Sequence, residues 1–271
     1  RIGLTAAMAD STASVHITPL KATIAYLPWT INDDNYLDYN FNTRRLDANL
    51  MASSQESSIM VRTETENDMD NMRLKIDNLH IEDFLRMWAL APEVTGDVNA
   101  DLRVGYDGKS IKGSGTLGVG KLTYERKRVG DLDLDLDAGY GLDGSTNVLA
   151  GLRVNGEKAM SLFANLVPDE TSGLKPDSVG LSLTRFPLKI ANPFLGQSVV
   201  LGGYLNGNMR MDGSFARPVL NGEIEFDSVR ARVPMMDATL RFEQDTVGVT
   251  DNVVRFSDFN VFGANENPLS L

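Results

Sequence analysis

The stretch Gly130-Asp131-Leu132-Asp133-Leu134-Asp135-Leu136-Asp137 decides the fold class of this chain. Leucines and aspartates alternate strictly in it, so a β-strand here carries its leucines on one face and its aspartates on the other. The same period of two recurs in residues 98–104, 223–227, 240–242 and 254–261. This alternation predicts an all-β chain of mostly antiparallel strands, each with one apolar face.

Short turns are expected between the strands, because five dipeptides are typical of tight β-turns. They are Asp107-Gly108, Asp143-Gly144, Asn155-Gly156, Asn206-Gly207 and Asn221-Gly222. Residues 168–176 contain Pro, Gly and Ser, and we expect a polar loop there. The fold predicted from these signals is an antiparallel meander.

Helical periodicity is limited to one or two short segments. The apolar residues at helical spacing are Ile81, Phe84, Leu85 and Trp88. They predict a helix that is capped by Asp77 or Asn78 and ends before Pro92. A weaker helical turn is expected at residues 192–197.

Composition excludes several classes of function. The 271 residues are 42% hydrophobic and carry a net charge of −11, which argues against a disordered chain and against a nucleic-acid partner. There is no cysteine, so disulfides, thiolate zinc sites and cysteine nucleophiles are excluded. The sequence has no signal-peptide pattern and no run of about 18 apolar residues. We interpret it as a single continuous segment, residues 1–271, of a longer protein.

Motifs of enzyme chemistry are weak, and we predict no catalytic residues, no cofactor, no metal site and no enzymatic activity. Residues 113–118 match G-x-G-x-x-G, but a strand-like run follows where a dinucleotide site requires a helix. Alternate aspartates on a strand point outward in a row and do not converge on a calcium ion. His16 and His80 belong to no metal motif. Four methionines suit either ordinary packing or an adaptable binding surface: Met209, Met211, Met235 and Met236.

An internal repeat is the most specific signal in the chain. Residues 79–136 and 186–242 both contain an apolar lead-in, a helical turn and a glycine-marked hairpin. The copies are 107 residues apart at Gly96 and Gly203, and 109 apart at Gly113 and Gly222. The difference predicts a two-residue insertion in the turn of the second copy.

The repeated glycine pattern resembles the TamB family of bacterial translocation and assembly module proteins, within the AsmA-like superfamily. Residues 203–213 and 218–224 carry the pattern best, and residues 186–195 resemble the lead-in and helical turn of the family. The resemblance covers the chain from about residue 74 onward. In the first copy, Gly105-Tyr106-Asp107-Gly108 replaces the simple turn and the expected proline is absent.

The resemblance implies an elongated, curled β-sheet with an apolar concave face, open along one side like a taco. It also implies a periplasmic location within a protein anchored in the inner membrane by a segment outside this chain. The implied function is phospholipid transport to the outer membrane or protein assembly there. The implied partners are a phospholipid or other acyl-chain lipid and an outer-membrane β-barrel assembly protein.

Physical chemistry supports the groove independently, because a curled meander with one apolar face per strand lines its concave side with apolar residues. Large exposed apolar surfaces mark binding sites, and each buried CH2 of an acyl chain contributes about 0.8 kcal/mol. We expect the groove to be lined by the apolar alternates Leu102, Val104, Leu117, Val119, Leu132, Leu134, Leu136, Leu205, Met209, Met211, Ile224, Phe226, Leu240 and Phe242.

Two alternatives remain open from the residues alone. Turn-rich β-repeats equally suit a structural or adhesive β-solenoid whose apolar faces form a closed, dry core. The many carboxylates also suit a carbohydrate-active β-protein, which would need two of them to converge on a glycosidic bond.

Overall fold

The computed structural model describes residues 3–18, 21–43, 45–66, 69–88, 92–106, 111–141, 143–169, 173–214, 216–243, 245–256, 260–263 and 268–270. In this part of the chain the fold is all-β, and the strands belong to one open sheet with antiparallel pairing. The few helices are short, and none of them is long and apolar enough to cross a membrane. The predicted fold class is therefore confirmed.

The chain divides into two compact units, which we describe separately. Unit 1 comprises Arg1–Leu122 and Asp135–Gly139, and unit 2 comprises Thr123–Leu134 and Tyr140–Leu271.

Unit 1 begins with eight strands that lead to the one α-helix. They are β1 (Gly3–Ala9), β2 (Thr12–Thr18), β3 (Lys21–Ile24), β4 (Leu27–Ile31), β5 (Tyr36–Asn40), β6 (Arg45–Ser54), β7 (Ser57–Glu66) and β8 (Met69–His80). Helix α1 (Ile81–Leu85) and strand β9 (Val94–Tyr106) follow. The main ladder runs β1-β2-β5-β6-β7-β8-β9, and the β3–β4 hairpin pairs with the end of β6.

The strands β10 (Ile111–Tyr124) and β11 (Lys127–Tyr140) contribute residues to both units. Unit 2 then contains β12 (Thr146–Val154), β13 (Glu157–Asp169), β14 (Gly173–Pro187), β15 (Val200–Ser214), β16 (Arg217–Val233), β17 (Ala238–Phe242), β18 (Asp245–Thr250), β19 (Val253–Phe256), β20 (Asn260–Phe262) and β21 (Pro268–Ser270). Consecutive strands pair from β12 to β16, and the long β16 then pairs with both β17 and β18. Short 3₁₀ helices follow β14 at Leu188–Ala191 and β16 at Pro234–Met236.

Helices and loops differ in detail from the sequence expectation. Helix α1 is one turn long and its N-cap is His80, not Asp77 or Asn78, because β8 continues through both of those residues. The predicted turn at 192–197 is present as hydrogen-bonded turns that continue the 3₁₀ helix. Of the expected loop at 168–176, residues 168–169 and 173–176 are strand, since β13 ends at Asp169 and β14 begins at Gly173, and residues 170–172 lie outside the described part of the chain.

Two of the five predicted turns are confirmed and two are wrong. Asn155-Gly156 joins β12 to β13, and Asp143-Gly144 lies in the turn between β11 and β12. Asn206-Gly207 and Asn221-Gly222 instead lie inside β15 and β16. Asp107-Gly108 falls outside the described residues, as do residues 257–259 of the last predicted strand.

The repeat has one constant spacing of 107 residues between its copies. Gly115 and Gly222 have φ angles of 157° and 149°, and an added Cβ would lie 2.1 Å from the carbonyl oxygen of Asp101 or Asn208. Gly115, and not Gly113, is therefore the structural counterpart of Gly222, and the predicted two-residue insertion is wrong. The bulge residues Asn78 and Arg185, and likewise Lys121 and Ser228, also have matching positive φ angles.

The sheet buries little of its apolar surface. The chain exposes 16908 Å², whereas a globular monomer of 29.7 kDa exposes about 11,600 Å². Among the described residues, Trp29 and Ile31 are the only buried hydrophobic residues larger than valine. Most apolar side chains of the strands are therefore only half-buried.

Candidate apolar binding face

Unit 2 presents one continuous apolar face, whose rows follow from the strand register. Residues that are paired directly in antiparallel strands project their side chains to the same side of the sheet. Two rows cross seven strands, β12 to β16 and then β18 and β19: Ala150-Leu162-Leu181-Met209-Gly222-Val249-Val254 and Leu152-Met160-Leu183-Gly207-Ile224-Val247-Phe256. Seven strands span about 29 Å at the usual inter-strand distance. We call this surface, with its neighbouring rows, the unit 2 apolar face.

Two shorter rows extend this face to either side. Val148, Ala164, Val179, Met211 and Leu220 form one of them, and Phe186, Leu205 and Phe226 form the other. Beyond them, Leu240 pairs with Ala231, and the rings of Phe226 and Phe242 lie 5.7 Å apart.

The side chains of this face are not covered. In the four rows only Ala164 and Val247 are buried, whereas Leu220, Val254 and Phe256 are exposed and the rest are half-buried. A contiguous apolar surface of this extent is unusual on a monomer, which makes it a candidate binding surface.

The opposite side of the same strands is polar. The row Gly151-Ser161-Ser182-Asn208-Glu223-Gly248-Arg255 contains no large apolar residue. Leu149 and Phe163 are a cross-strand apolar pair on this side. Each strand thus separates an apolar from a polar surface, as the period of two predicts.

Unit 1 has a corresponding apolar face. Its rows include Leu50-Val61-Leu74-Leu102, Ala52-Ile59-Ile76-Ala100 and Ala6-Val15-Leu37-Ala48. The opposite side carries the polar row Asn49-Arg62-Arg73-Arg103. Arg73 donates two hydrogen bonds to Asp101, at 2.8 and 2.7 Å, and they lower the pKa of that carboxyl and raise the pKa of Arg73.

A helical segment covers one end of the face in each unit. In unit 1, the Phe84 ring meets the edge of the buried Trp29 at 6.2 Å, and the Ile81 side chain lies beside Gly96. In unit 2, Phe194 stacks on Tyr124 at 4.8 Å.

Two further contacts fix the unit 2 segment. Lys127 Nζ donates to the carbonyl oxygen of Gly196 at 2.7 Å. The Asn192 carboxamide bonds both the N–H and the carbonyl oxygen of Leu201. The connection between β14 and β15 therefore reaches the first residues of β11.

The fourteen predicted groove residues are divided between the units. Leu205, Met209, Met211, Ile224, Phe226, Leu240 and Phe242 share the unit 2 apolar face. In unit 1, Leu102 and Val104 lie in rows with Leu74 and Met72. Val119 lies beside Ile81, under α1, and Leu117 is on the same strand.

The three leucines of the opening stretch alternate along β11 and are half-buried; of the aspartates between them, Asp133 is exposed and Asp135 is half-buried. Leu132 and Leu134 belong to unit 2, and Leu136 belongs to unit 1. Of the four methionines, Met235 and Met236 lie in the 3₁₀ helix and are 91% and 76% exposed.

Sequence reasoning missed the central residues of the unit 2 apolar face. They are Leu152, Met160, Leu162, Val179, Leu181 and Leu183. The alternation Leu181-Ser182-Leu183 was the available signal. It was weak because the neighbouring Pro, Gly and Ser residues favoured a loop.

Other chemistry finds no geometric support in the described part of the chain. The G-x-G-x-x-G residues 113–118 lie inside β10, with no helix opening at them. No group of three or more His, Cys, Asp or Glu side chains that could hold a metal ion occurs among the described residues. No protein-family model, curated protein or solved structure matches the chain.

Proposed function

We propose that the chain is a non-enzymatic, lipid-binding segment of a TamB-like periplasmic protein, and that its apolar faces hold acyl chains. The observation that carries this proposal is the unit 2 apolar face, with two rows that cross seven strands and stay largely uncovered. Acyl chains would supply the missing cover, because each buried CH2 contributes about 0.8 kcal/mol without specific polar contacts.

The resemblance to the TamB family supplies the rest of the proposal. In it, the segment serves phospholipid transport to the outer membrane or protein assembly there. The parent protein is anchored in the inner membrane and works with an outer-membrane β-barrel assembly protein. The half-buried rows and the open sheet favour this function over a β-solenoid with a dry, closed core.

Photo-crosslinking at two adjacent residues of β14 tests the proposal. A photoreactive amino acid at Leu181 faces the apolar rows, whereas the same amino acid at Ser182 faces the polar side. After incubation with phospholipid vesicles and irradiation, we expect lipid adducts at position 181, at least ten-fold more than at position 182, by mass spectrometry. Both variants must keep the β-sheet circular dichroism of the parent chain. Equal labelling of the two positions, or none, would overturn the proposal.

A second pair of variants tests the function without a bulky probe. Ile224→Gln alters the apolar face, and Glu223→Gln alters the polar side of the same strand. We expect Ile224→Gln to weaken the displacement of a fluorescent fatty acid several-fold and Glu223→Gln to leave it unchanged. The opposite ranking would contradict an apolar binding face.

A further inference from the structure

A cleft at one end of the unit 2 apolar face carries an unusual charge. Its volume is about 620 Å³, which lies in the range of small-ligand sites. The polar residues that line it are Lys127, Arg128, Asp131, Asn155, Lys189 and Asn192. We call it the cationic cleft, because three cations face one carboxylate in a chain whose net charge is −11.

Two separate elements hold the cations in place. Lys127 and Arg128 begin β11, and Lys189 belongs to the 3₁₀ helix after β14. Lys127 Nζ is bonded to the carbonyl oxygen of Gly196, which ties the two elements together. Arg128 approaches Asp131 at 3.6 Å, whereas the Lys189 ammonium has no hydrogen bond or ion pair within the part of the chain that is described. Lys189 is therefore a free cation at the cleft.

The field around the cleft is positive as well. Four segments meet at this end of unit 2, at residues 125–128, 155–158, 185–200 and 230–241. Together they carry nine Lys and Arg residues and only three Asp and Glu residues. Such a concentration of one sign raises the local concentration of anions.

The cleft lies at the ends of strands that carry the apolar face. Val154 is buried and continues Ala150 and Leu152 on that face, and the next residue, Asn155, lines the cleft. Asn155 is fixed there, because its side-chain oxygen accepts from the N–H of Asp131 and its own N–H donates to the Asp131 carbonyl oxygen. On the other side, Lys189 follows the end of β14 by two residues.

We propose that the cationic cleft binds a phosphate group, with Lys189, Lys127 and Arg128 as its ligands. This inference rests on the proposed lipid-binding function and names its substrate class: a lipid whose phosphate occupies the cleft while its acyl chains lie along the adjoining rows. Ammonium and guanidinium groups form short, charge-assisted hydrogen bonds with phosphate oxygens, and guanidinium can form two at once.

Two lipids with the same acyl chains separate this inference from the proposed function. Dioleoyl phosphatidylglycerol carries a phosphate and dioleoylglycerol does not. We expect the chain to bind the phospholipid at least ten-fold more tightly, measured by displacement of a fluorescent fatty acid. Equal binding of both lipids overturns a lipid phosphate as the occupant of the cleft and leaves the function standing. Binding of neither lipid overturns the function.

Two lysine variants test whether the phosphate binds in the cationic cleft. Lys189→Met should lower the affinity for phosphatidylglycerol about ten-fold and leave dioleoylglycerol unchanged. Lys158→Met is the matched control, since Lys158 is an exposed cation at the same end of unit 2 that does not line the cleft. If both variants lose the same affinity, general electrostatic attraction explains the preference and the site is overturned.

A titration with inorganic phosphate identifies the source of the group. Phosphate binding that depends on Lys189, together with a preference for phosphatidylglycerol, assigns the cleft to a lipid headgroup. The same dependence without a lipid preference assigns it to free phosphate. If phosphate binding does not depend on Lys189 and phosphatidylglycerol is not preferred, the inference is contradicted.

Discussion

The two copies of the repeat, residues 78–121 of unit 1 and residues 185–228 of unit 2, share positive φ angles at three equivalent positions but carry different charged side chains. Each copy contains two strand residues with positive φ, Asn78 and Lys121 or Arg185 and Ser228, and one glycine, Gly115 or Gly222, against which a neighbouring strand packs closely. A helical segment follows the first bulge in both, beginning at Ile81 and at Leu188. The backbone plan is therefore what the repeat preserves.

Side chains at equivalent positions have opposite chemistry. Glu82 in the first copy accepts a hydrogen bond from the Gly96 N–H at 3.2 Å, whereas its counterpart Lys189 lines the cationic cleft. Asp97 bonds His80 and Lys121, whereas its counterpart Tyr204 lies under the Arg185 guanidinium at 4.2 Å. One backbone plan therefore carries different surface chemistry in the two units.

The largest expected effect comes from Gly115 and Gly222, the equivalent glycines at which a neighbouring strand packs closely in each copy. Gly115→Ala and Gly222→Ala should each lower the free energy of unfolding by about 3 kcal/mol, because the new Cβ would lie 2.1 Å from a backbone oxygen at a positive φ. Gly151→Ala is the control, since no atom lies within 4 Å of its added Cβ. Urea denaturation followed by circular dichroism measures all three.

An unequal result for the two glycines would contradict the structural equivalence of the two copies. If Gly115→Ala is tolerated and Gly222→Ala is not, the first copy lacks the close strand approach, and the two backbones are not equivalent at this position. A loss in Gly151→Ala as large as in the pair would instead show a general intolerance of side chains in these strands.

A smaller effect is expected from the asparagines that close the first bulge of each copy. The side-chain oxygen of Asn99 accepts from the Asn78 N–H at 2.9 Å, and that of Asn206 accepts from the Arg185 N–H at 2.7 Å. Each Asn→Ala change removes one hydrogen bond and should lower the free energy of unfolding by about 1 kcal/mol. Asn208→Ala, on the polar side of β15, should change it by less than about 0.5 kcal/mol. Equal losses of unfolding free energy at all three positions would show that the hydrogen bonds of Asn99 and Asn206 add no stability beyond that of an ordinary asparagine side chain.

These bulges also explain which parts of the structure the sequence could predict. Strand alternation predicts the all-β fold and the apolar rows because it depends only on local periodicity. Asn-Gly at 206–207 and 221–222 predicted turns, but there the asparagine side chains bond distant backbone N–H groups: Asn206 that of Arg185, and Asn221 that of Asp251. Such contacts involve residues 21 and 30 positions away, which a local pattern does not contain.

Several real turns had no sequence signal either. Asp10-Ser11, Ala25-Tyr26, Glu125-Arg126 and Asp251-Asn252 all adopt positive φ without glycine. Pairing of the flanking strands imposes these conformations against local preference. The cationic cleft was equally hidden, because Lys127, Asn155 and Lys189 meet only after β11 to β14 have folded.

The smallest expected effect is a pH dependence at Asp97 in the first copy. A hydrogen bond from Lys121 and a second from His80 lower the pKa of Asp97 below its usual value. The ionised carboxylate therefore stabilises the fold above the unfolded pKa of about 3.9, and this contribution is lost as the pH falls through the lower folded pKa. Asp97→Asn should reduce the free energy of unfolding by less than about 1 kcal/mol at pH 7, because Lys121 is largely exposed.

Thermal unfolding recorded from pH 7 to pH 3 measures this contribution. The difference in unfolding midpoint between the parent chain and Asp97→Asn should shrink below about pH 4. Tyr204→Phe is the matched variant in the second copy, and its effect should be the same throughout this range because the substitution removes no carboxylate. A difference for Asp97→Asn that persists unchanged at pH 3 would mean that its carboxylate charge is irrelevant. Asp97 and its counterpart Tyr204 would then differ in side-chain shape and not in electrostatics.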